Sequence, residues 1–551
     1  MSVYLDLGGA LAAFGLLFTV YQLRRPRWEV ILRIRNNWQS DIFWILGFIG
    51  LFYALVGVLV SELPINSFNF PFNTPLLYEV AAYLSFVASP LSLIYFATND
   101  KKLFNAKTAE TFYEVILQEI SKSSDVNLDA ALEIVLRNFN EICDATLQNT
   151  DKDLRSYARS ILDVVLSDES VVKVLTTKRL DALQYIFYLI KEKNITRAHS
   201  GIGIPRIVNN LFFDENSFLY KQLDRKGLAL SSNIYTSIFE SPVILTNFDL
   251  FGYPTIGYGM SRDTGNAGIR VFIKALSLSI ETYFKTGSVP PRHINNGLSY
   301  LSNIFGGLCA KIAIKENKGV DTKSSLEDEW WGLHQIASFL GHDYIFLAYE
   351  EKLNQQVLEN EKTAHEARFG SNATINEGIA AVIYKAFEQL SQIKKTTDIY
   401  HTVLELLHGM MNEPTYKEGY RPPFEKRLWQ QIGANVAKRY YPAVVRTYLT
   451  FVGFCLGADA NQRQGWIGEQ AERMRRLLYI DLKPLFDKNE KMINKEFMKD
   501  VLLPDSMSYK DGKFTYTSGF GEGTTTEVAP PPEGATSGLE GIDLESMPHF
   551  V

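Results

Sequence analysis

Apolar residues are spread unevenly along this chain. Three long uncharged runs fall near its start, Leu7–Leu23, Ile42–Ser61 and Val80–Asn99. Each has, or nearly has, the roughly 20 residues a helix needs to cross a bilayer core, and no later stretch reads the same way. Residues 1–100 are therefore expected to form a three-span transmembrane unit. The runs contain Thr19, Tyr53, Ser85 and Ser89 but no readily ionised group, which disfavours a transporter or proton relay. Gly8, Gly9, Gly15, Gly47, Gly50 and Gly57 would let helices approach closely, and Pro90 could kink the third span. A packed anchor is the simpler reading, and an oligomerising pore the sharper one.

Beyond Lys101 the pattern changes to steps of three and four. Leu128, Leu132, Val135, Phe139 and Ile142 form one such stripe. Leu154, Ala158, Ile161 and Val165 form another, and so do Leu180, Leu183, Phe187 and Ile190, then Ile379, Ile383, Ala386 and Leu390. That spacing puts side chains on one helix face. Asn127 and Asp151 stand where N-caps belong. The expected fold is all-α: three N-terminal transmembrane helices, then a large helical body, an irregular solenoid or bundle with no fixed repeat period. The run ENKGVDTKSS (316–325) interrupts the periodicity and divides the body into subdomains 101–320 and 321–503. Pro242 to Asp263, rich in Gly and aromatics, reads as a structured loop or short hairpin.

Charge sets a direction. Arg24, Arg25, Arg27, Arg33 and Arg35 lie between the first two runs, whereas Glu62–Glu79 has no Lys or Arg. Basic short loops stay on the cytoplasmic side, so the N-terminus is expected outside and the body in the cytoplasm, with the plasma (inner) membrane as the location. The opening MSVYLD lacks the basic region of a secretory signal. The arginines, with Trp28 and Trp38, suit a segment at the inner headgroup layer in contact with anionic lipid. The chain's net charge of −6 is matched by six acids after Phe514, where there is no Lys or Arg. Residues 504–551, also rich in Gly, Thr and Pro, are expected to be a disordered acidic tail.

Chemistry is sparse. Cys143, Cys309 and Cys455 are far apart and form no zinc or disulfide framework. Asp398, His401, Glu405 and His408 share a helix face, and Glu405-x-x-His408 has the form found in carboxylate-bridged di-metal bundles. A solvent-facing stripe explains it more simply. His334, His342 and Asp343, with His293 and Asp398, offer a weaker hydrolase-like metal set. Gly519–Thr525 lacks the P-loop lysine, and no Gly-x-Ser-x-Gly or His-Glu-x-x-His motif is present. Arg421, Lys426, Arg427, Lys438 and Arg439 alternate with aromatics over 416–446, followed by Arg473, Arg475 and Arg476. This patch fits a lipid or protein contact, with nucleic acid disfavoured, or a docking surface for the acidic tail.

These features point to a membrane-anchored, non-enzymatic scaffold, adaptor or sensor with a protein partner. No cofactor is expected, and self-association is an option. The alternatives are a membrane-perturbing effector whose body senses a trigger, as in bacterial defence, and a metal-dependent hydrolase using the histidines above.

Overall fold

The computed structural model describes residues 26–35, 38–62, 75–98, 103–122, 124–147, 151–196, 203–224, 232–252, 265–317 and 327–343. It also describes 471–488 (except 474 and 485), 507–517, 525–540 (except 539), and isolated positions within 12–19 and 382–406. The chain is mostly helical with few strands. It divides into two compact units, Met1–Asn210 and Leu211–Val551.

The first unit opens with α1 (Pro26–Ile34), followed by the long apolar helices α2 (Trp38–Glu62) and α3 (Pro75–Thr98). These two form an antiparallel hairpin whose contact seam is legible in its burial. Phe43, Gly47, Gly50, Ala54 and Gly57 face inward on α2; Glu79, Ala82, Phe86 and Ser89 do so on α3. The spacing alternates four and three, the geometry of a left-handed helix pair. A Cβ on Gly50 would sit 3.1 Å from the Phe86 ring and 3.3 Å from the Ala82 carbonyl oxygen. The Ser89 hydroxyl donates to the Phe43 carbonyl across the seam at 2.7 Å. Pro90 lies inside α3.

Six helices continue the unit: α4 (Ala109–Ser121), α5 (Asp125–Arg137), α6 (Phe139–Leu147), α7 (Lys152–Ser167), α8 (Glu169–Thr177) and α9 (Leu180–Glu192). The stripes expected from spacing are buried here apart from half-buried Leu154 and Leu180, with Val135, Phe139, Ile142, Val165 and Leu183 all at 0% exposure. The Asp151 carboxylate caps α7, accepting from the amides of Asp153 and Leu154. Asn127 caps nothing: α5 begins at Asp125, two residues earlier. Asn138 breaks the stripe between α5 and α6. Its buried amide donates to the Ile134 carbonyl and accepts from the Phe104 N–H.

α10 (Gly203–Phe213) spans the boundary in sequence. In the second unit, α11 (Phe218–Asp224), α12 (Ser232–Phe239), α13 (Pro242–Asn247), α15 (Pro291–Asn317) and α16 (Glu327–Ser338) all contact α14 (Asn266–Thr286). Phe212, Phe239, Phe251 and Phe272 pack ring on ring in its core, with Phe212 and Phe239 stacked at 5.6 Å. The loop expected from Pro242 onward is instead a short helix in its first part. Pro242 occupies the first helical turn, where its missing N–H costs nothing. Residues 253–264 lie outside the described residues.

Among the described residues, two helices are long and apolar enough to cross a membrane, Asp41–Val60 within α2 and Pro291–Glu316 within α15. The three-span arrangement is thus met only in part. The run Leu7–Leu23 lies almost wholly outside the described residues, and Val80–Asn99 falls on α3 as far as Thr98. α15 is a later apolar helix, outside the three runs near the start of the chain.

The tail needs correction. Residues 507–517 and 525–527 form an antiparallel sheet in the order β1 (Met507–Lys510), β2 (Lys513–Thr517), β3 (Thr525–Glu527). Asp511 and Gly512 make the two-residue turn with φ of 52° and 76°, which the paired strands require and glycine adopts freely. Met507, Tyr509, Phe514 and Tyr516 alternate onto one buried face. That face packs on Phe486, 5.2 Å from the Phe514 ring. The acidic composition after Phe514 concealed a period of two that begins before it.

Candidate functional site: the basic helix at the base of the hairpin

The second half of α1 is buried apart from Arg33: Val30, Ile31, Leu32 and Ile34 are each no more than 1% exposed. So wide an apolar surface must be covered by several neighbours. α3, α4 and α5 all contact α1. Leu32 belongs to the buried cluster of the hairpin, with Phe43, Ala54, Ala82 and Phe86. α1 therefore sits between the apolar hairpin and the helical body of its unit.

Its arginines reach carboxylates of that body. Arg27 Nη1 meets Glu133 Oε1 at 2.7 Å, and Arg137 meets the same oxygen at 2.9 Å. Arg33 Nη1 pairs with Glu119 Oε1, and its Nη2 donates to the Gln118 side-chain oxygen. Lys122 Nζ lies 2.6 Å from the same Glu119 oxygen. The Glu119 side chain is only 4% exposed, so two cations share one nearly dry carboxylate. Such pairs hold register, because displacing either partner leaves an uncompensated charge. Trp28 is half-buried, and so is Arg35. Arg24 and Arg25 lie outside the described residues.

The carboxylate partners escape sequence reading. Glu119 and Glu133 stand 86 and 106 residues from their arginines, and no local pattern marks them.

The other candidates are placed as follows. His293 stands in the first turn of α15, buried, with Nδ1 2.8 Å from the Leu245 carbonyl oxygen. That contact gives the ring a structural partner. His334 lies on α16, and His342 and Asp343 in the π-helical turn Phe339–Asp343 that follows it. Among the described residues no group of three or more His, Cys, Asp or Glu could hold a metal ion. Asp398, His401, Glu405 and His408 lie outside the described residues, as do Arg421, Lys426, Arg427, Lys438 and Arg439.

Of the basic residues beyond that patch, Arg473 does meet the tail, through backbone rather than charge. Its Nε donates to the Gly538 carbonyl at 2.8 Å. Asp481 takes the Ser537 hydroxyl at 2.8 Å and the Gly538 N–H at 3.1 Å. A Cβ on Gly538 would fall 2.7 Å from both the Arg473 carbonyl oxygen and the Leu477 Cβ, so close docking depends on glycine there. Tyr479 donates to the Val528 carbonyl at 2.6 Å.

Cys143 and Cys309, the two described thiols, are both buried. Burial, with Asp144 adding to it, pushes Cys143 up to about 12, and burial also raises Cys309. Cys455 lies outside the described residues.

No family model matches the chain, and neither a curated protein nor a solved structure matches it.

Proposed function

We propose that this chain is a membrane-anchored helical adaptor or sensor, without enzymatic activity, whose body works in the cytoplasm. The observation that carries the reading is the outer surface of the hairpin. Phe48, Phe52 and Leu59 on α2, and Leu84, Val87 and Leu91 on α3, are all more than half exposed. Apolar surface that continuous is stable in lipid and adhesive in water. In this reading Leu7–Leu23 is a further span, residues 24–41 face the cytoplasm, and 62–79 face outward, following the distribution of arginine. α1, paired to α4 and α5, transmits the position of the body to the membrane segment.

The membrane-perturbing alternative draws on the same small residues. Gly50 and Gly57 are occupied within the hairpin, against Phe86 and Tyr78, which favours an anchor over an assembling pore. Dye release from vesicles on addition of the purified protein would reverse that preference. The metal-dependent hydrolase has no support among the described residues.

The anchor is tested by deleting residues 38–98 and floating the protein with liposomes. The full chain is expected to float and the deleted chain to stay at the bottom. Protease added outside sealed, right-side-out vesicles is expected to spare the body. Equal flotation of both chains, or digestion of the body from outside, would overturn the reading.

A further inference from the structure

We propose that Pro530, Pro531 and Pro532 form a ready-made polyproline ligand for a groove on a partner protein, floored by aromatic side chains and rimmed by lysine or arginine. Three consecutive prolines hold φ near about −65° and offer no N–H, so the run enters neither ladder nor helix and stays in the polyproline II range. Pro530 and Pro532 are exposed and Pro531 half-buried.

Both ends of the run are tied down. Upstream, Val528 is 1% exposed. Its N–H donates to the Phe514 carbonyl at 2.9 Å, and its own carbonyl takes the Tyr479 hydroxyl. Downstream, the Ala535 N–H returns to the Pro532 carbonyl at 3.1 Å, closing a turn through Gly534 at φ 85°. Asp481 and Arg473 then clamp Ser537 and Gly538. A display loop fixed at two points has lost most of its ordering entropy before any partner arrives, which favours binding.

Charge selects the partner's sign. Glu527, Glu533 and Glu540 flank the run, and no Lys or Arg follows Lys513. A basic rim would be steered toward it and an acidic one repelled. This inference rests on the adaptor reading and supplies its partner class; flotation tests the anchor, and solution binding tests the loop.

The test titrates the full-length protein in detergent with two purified probes, an SH3 domain and a WW domain, each with a basic groove rim. The first variant is the triple substitution Pro530→Ala, Pro531→Ala, Pro532→Ala, with unchanged circular dichroism as its folding control. The second is Asp481→Asn, which loosens the downstream clamp and keeps the prolines. At least one probe is expected to bind the native chain, to lose about ten-fold in affinity on the triple variant, and to lose less on Asp481→Asn. Raised salt is expected to weaken the native complex. If neither probe binds the native chain more tightly than the triple variant, the proposal is overturned. Equal binding to the native chain and Asp481→Asn overturns the claim that the clamp prepares the loop.

Discussion

Removing the Glu119 carboxylate would take a shared partner from two cations. Arg33 and Lys122 both pair with it, yet their side chains stay 24% and 40% exposed, so Glu119→Ala is expected to lower stability by about 1–2 kcal/mol. Lys178→Ala, which breaks the surface pair with Asp125, should be nearly silent. Urea unfolding of the detergent-solubilised protein separates the two, and equal effects would contradict the burial argument. A second residue-scale expectation concerns Asp487. The Lys483 ammonium and the Tyr509 hydroxyl hold its carboxyl below the usual carboxylate value. A group depressed in the folded state adds stability above its unfolded value and loses that contribution as pH falls through the folded one. The β1–β2 hairpin should therefore hold its amide protection down to about pH 4 and lose some below it. Asp487→Asn should remove that acid-dependent component. The cysteines give a third expectation: Cys143 and Cys309 should resist iodoacetamide at pH 8 until denaturant is added, read by mass spectrometry of the two tryptic peptides.

At the scale of elements, the hairpin seam is the sharpest target. Gly50→Leu would push a side chain into the Phe86 ring and the Ala82 carbonyl. It should cost about 1–3 kcal/mol and lower the melting temperature in detergent. Gly15→Leu meets nothing within 4 Å and should leave it unchanged. Such elements were readable because their signal is local and long. Steps of three and four in α5 to α9 predict the buried stripe directly, and Asp151 announces the start of α7. The C-terminal sheet was equally readable and was missed. Asp511-Gly512 between Met507/Tyr509 and Phe514/Tyr516 is a strong short-range hairpin signal, but composition over the whole tail outweighed a pattern only ten residues long. Pro242 misled in the opposite sense, since β-branched neighbours suggested strand where a proline-initiated helix formed. The α1 site was half legible. Its arginines stood out, whereas the carboxylates that receive them are set by tertiary packing that no spacing rule encodes.

For the molecule as a whole, the proposed anchor turns on which apolar helix would meet lipid. Length and composition admit both Asp41–Val60 and Pro291–Glu316. Burial separates them: 28% of the first window is covered by protein, against 50% of the second. α15 also presents residues that a lipid-facing helix avoids. It carries Arg292, His293, Asn295 and Asn296 in its first turns, and Asn296 donates to the Asp249 carboxylate at 2.7 Å. Its apolar side faces the aromatic core, where Tyr300 lies 5.1 Å from the Phe272 ring. α2 has the reverse arrangement, with glycines inside and phenylalanines outside. A membrane-partitioning diazirine, activated on the full chain in vesicles, should therefore label peptides from 41–60 and 75–98 and spare those from 291–316. The labelled positions on α2 should fall at Phe48, Phe52 and Leu59 and skip Gly47, Gly50 and Ala54, because only the first set points away from α3. Labelling of 291–316 at a comparable level would make α15 a span, reverse the side on which the residues after it lie, and remove the basis for placing the proline loop in the cytoplasm.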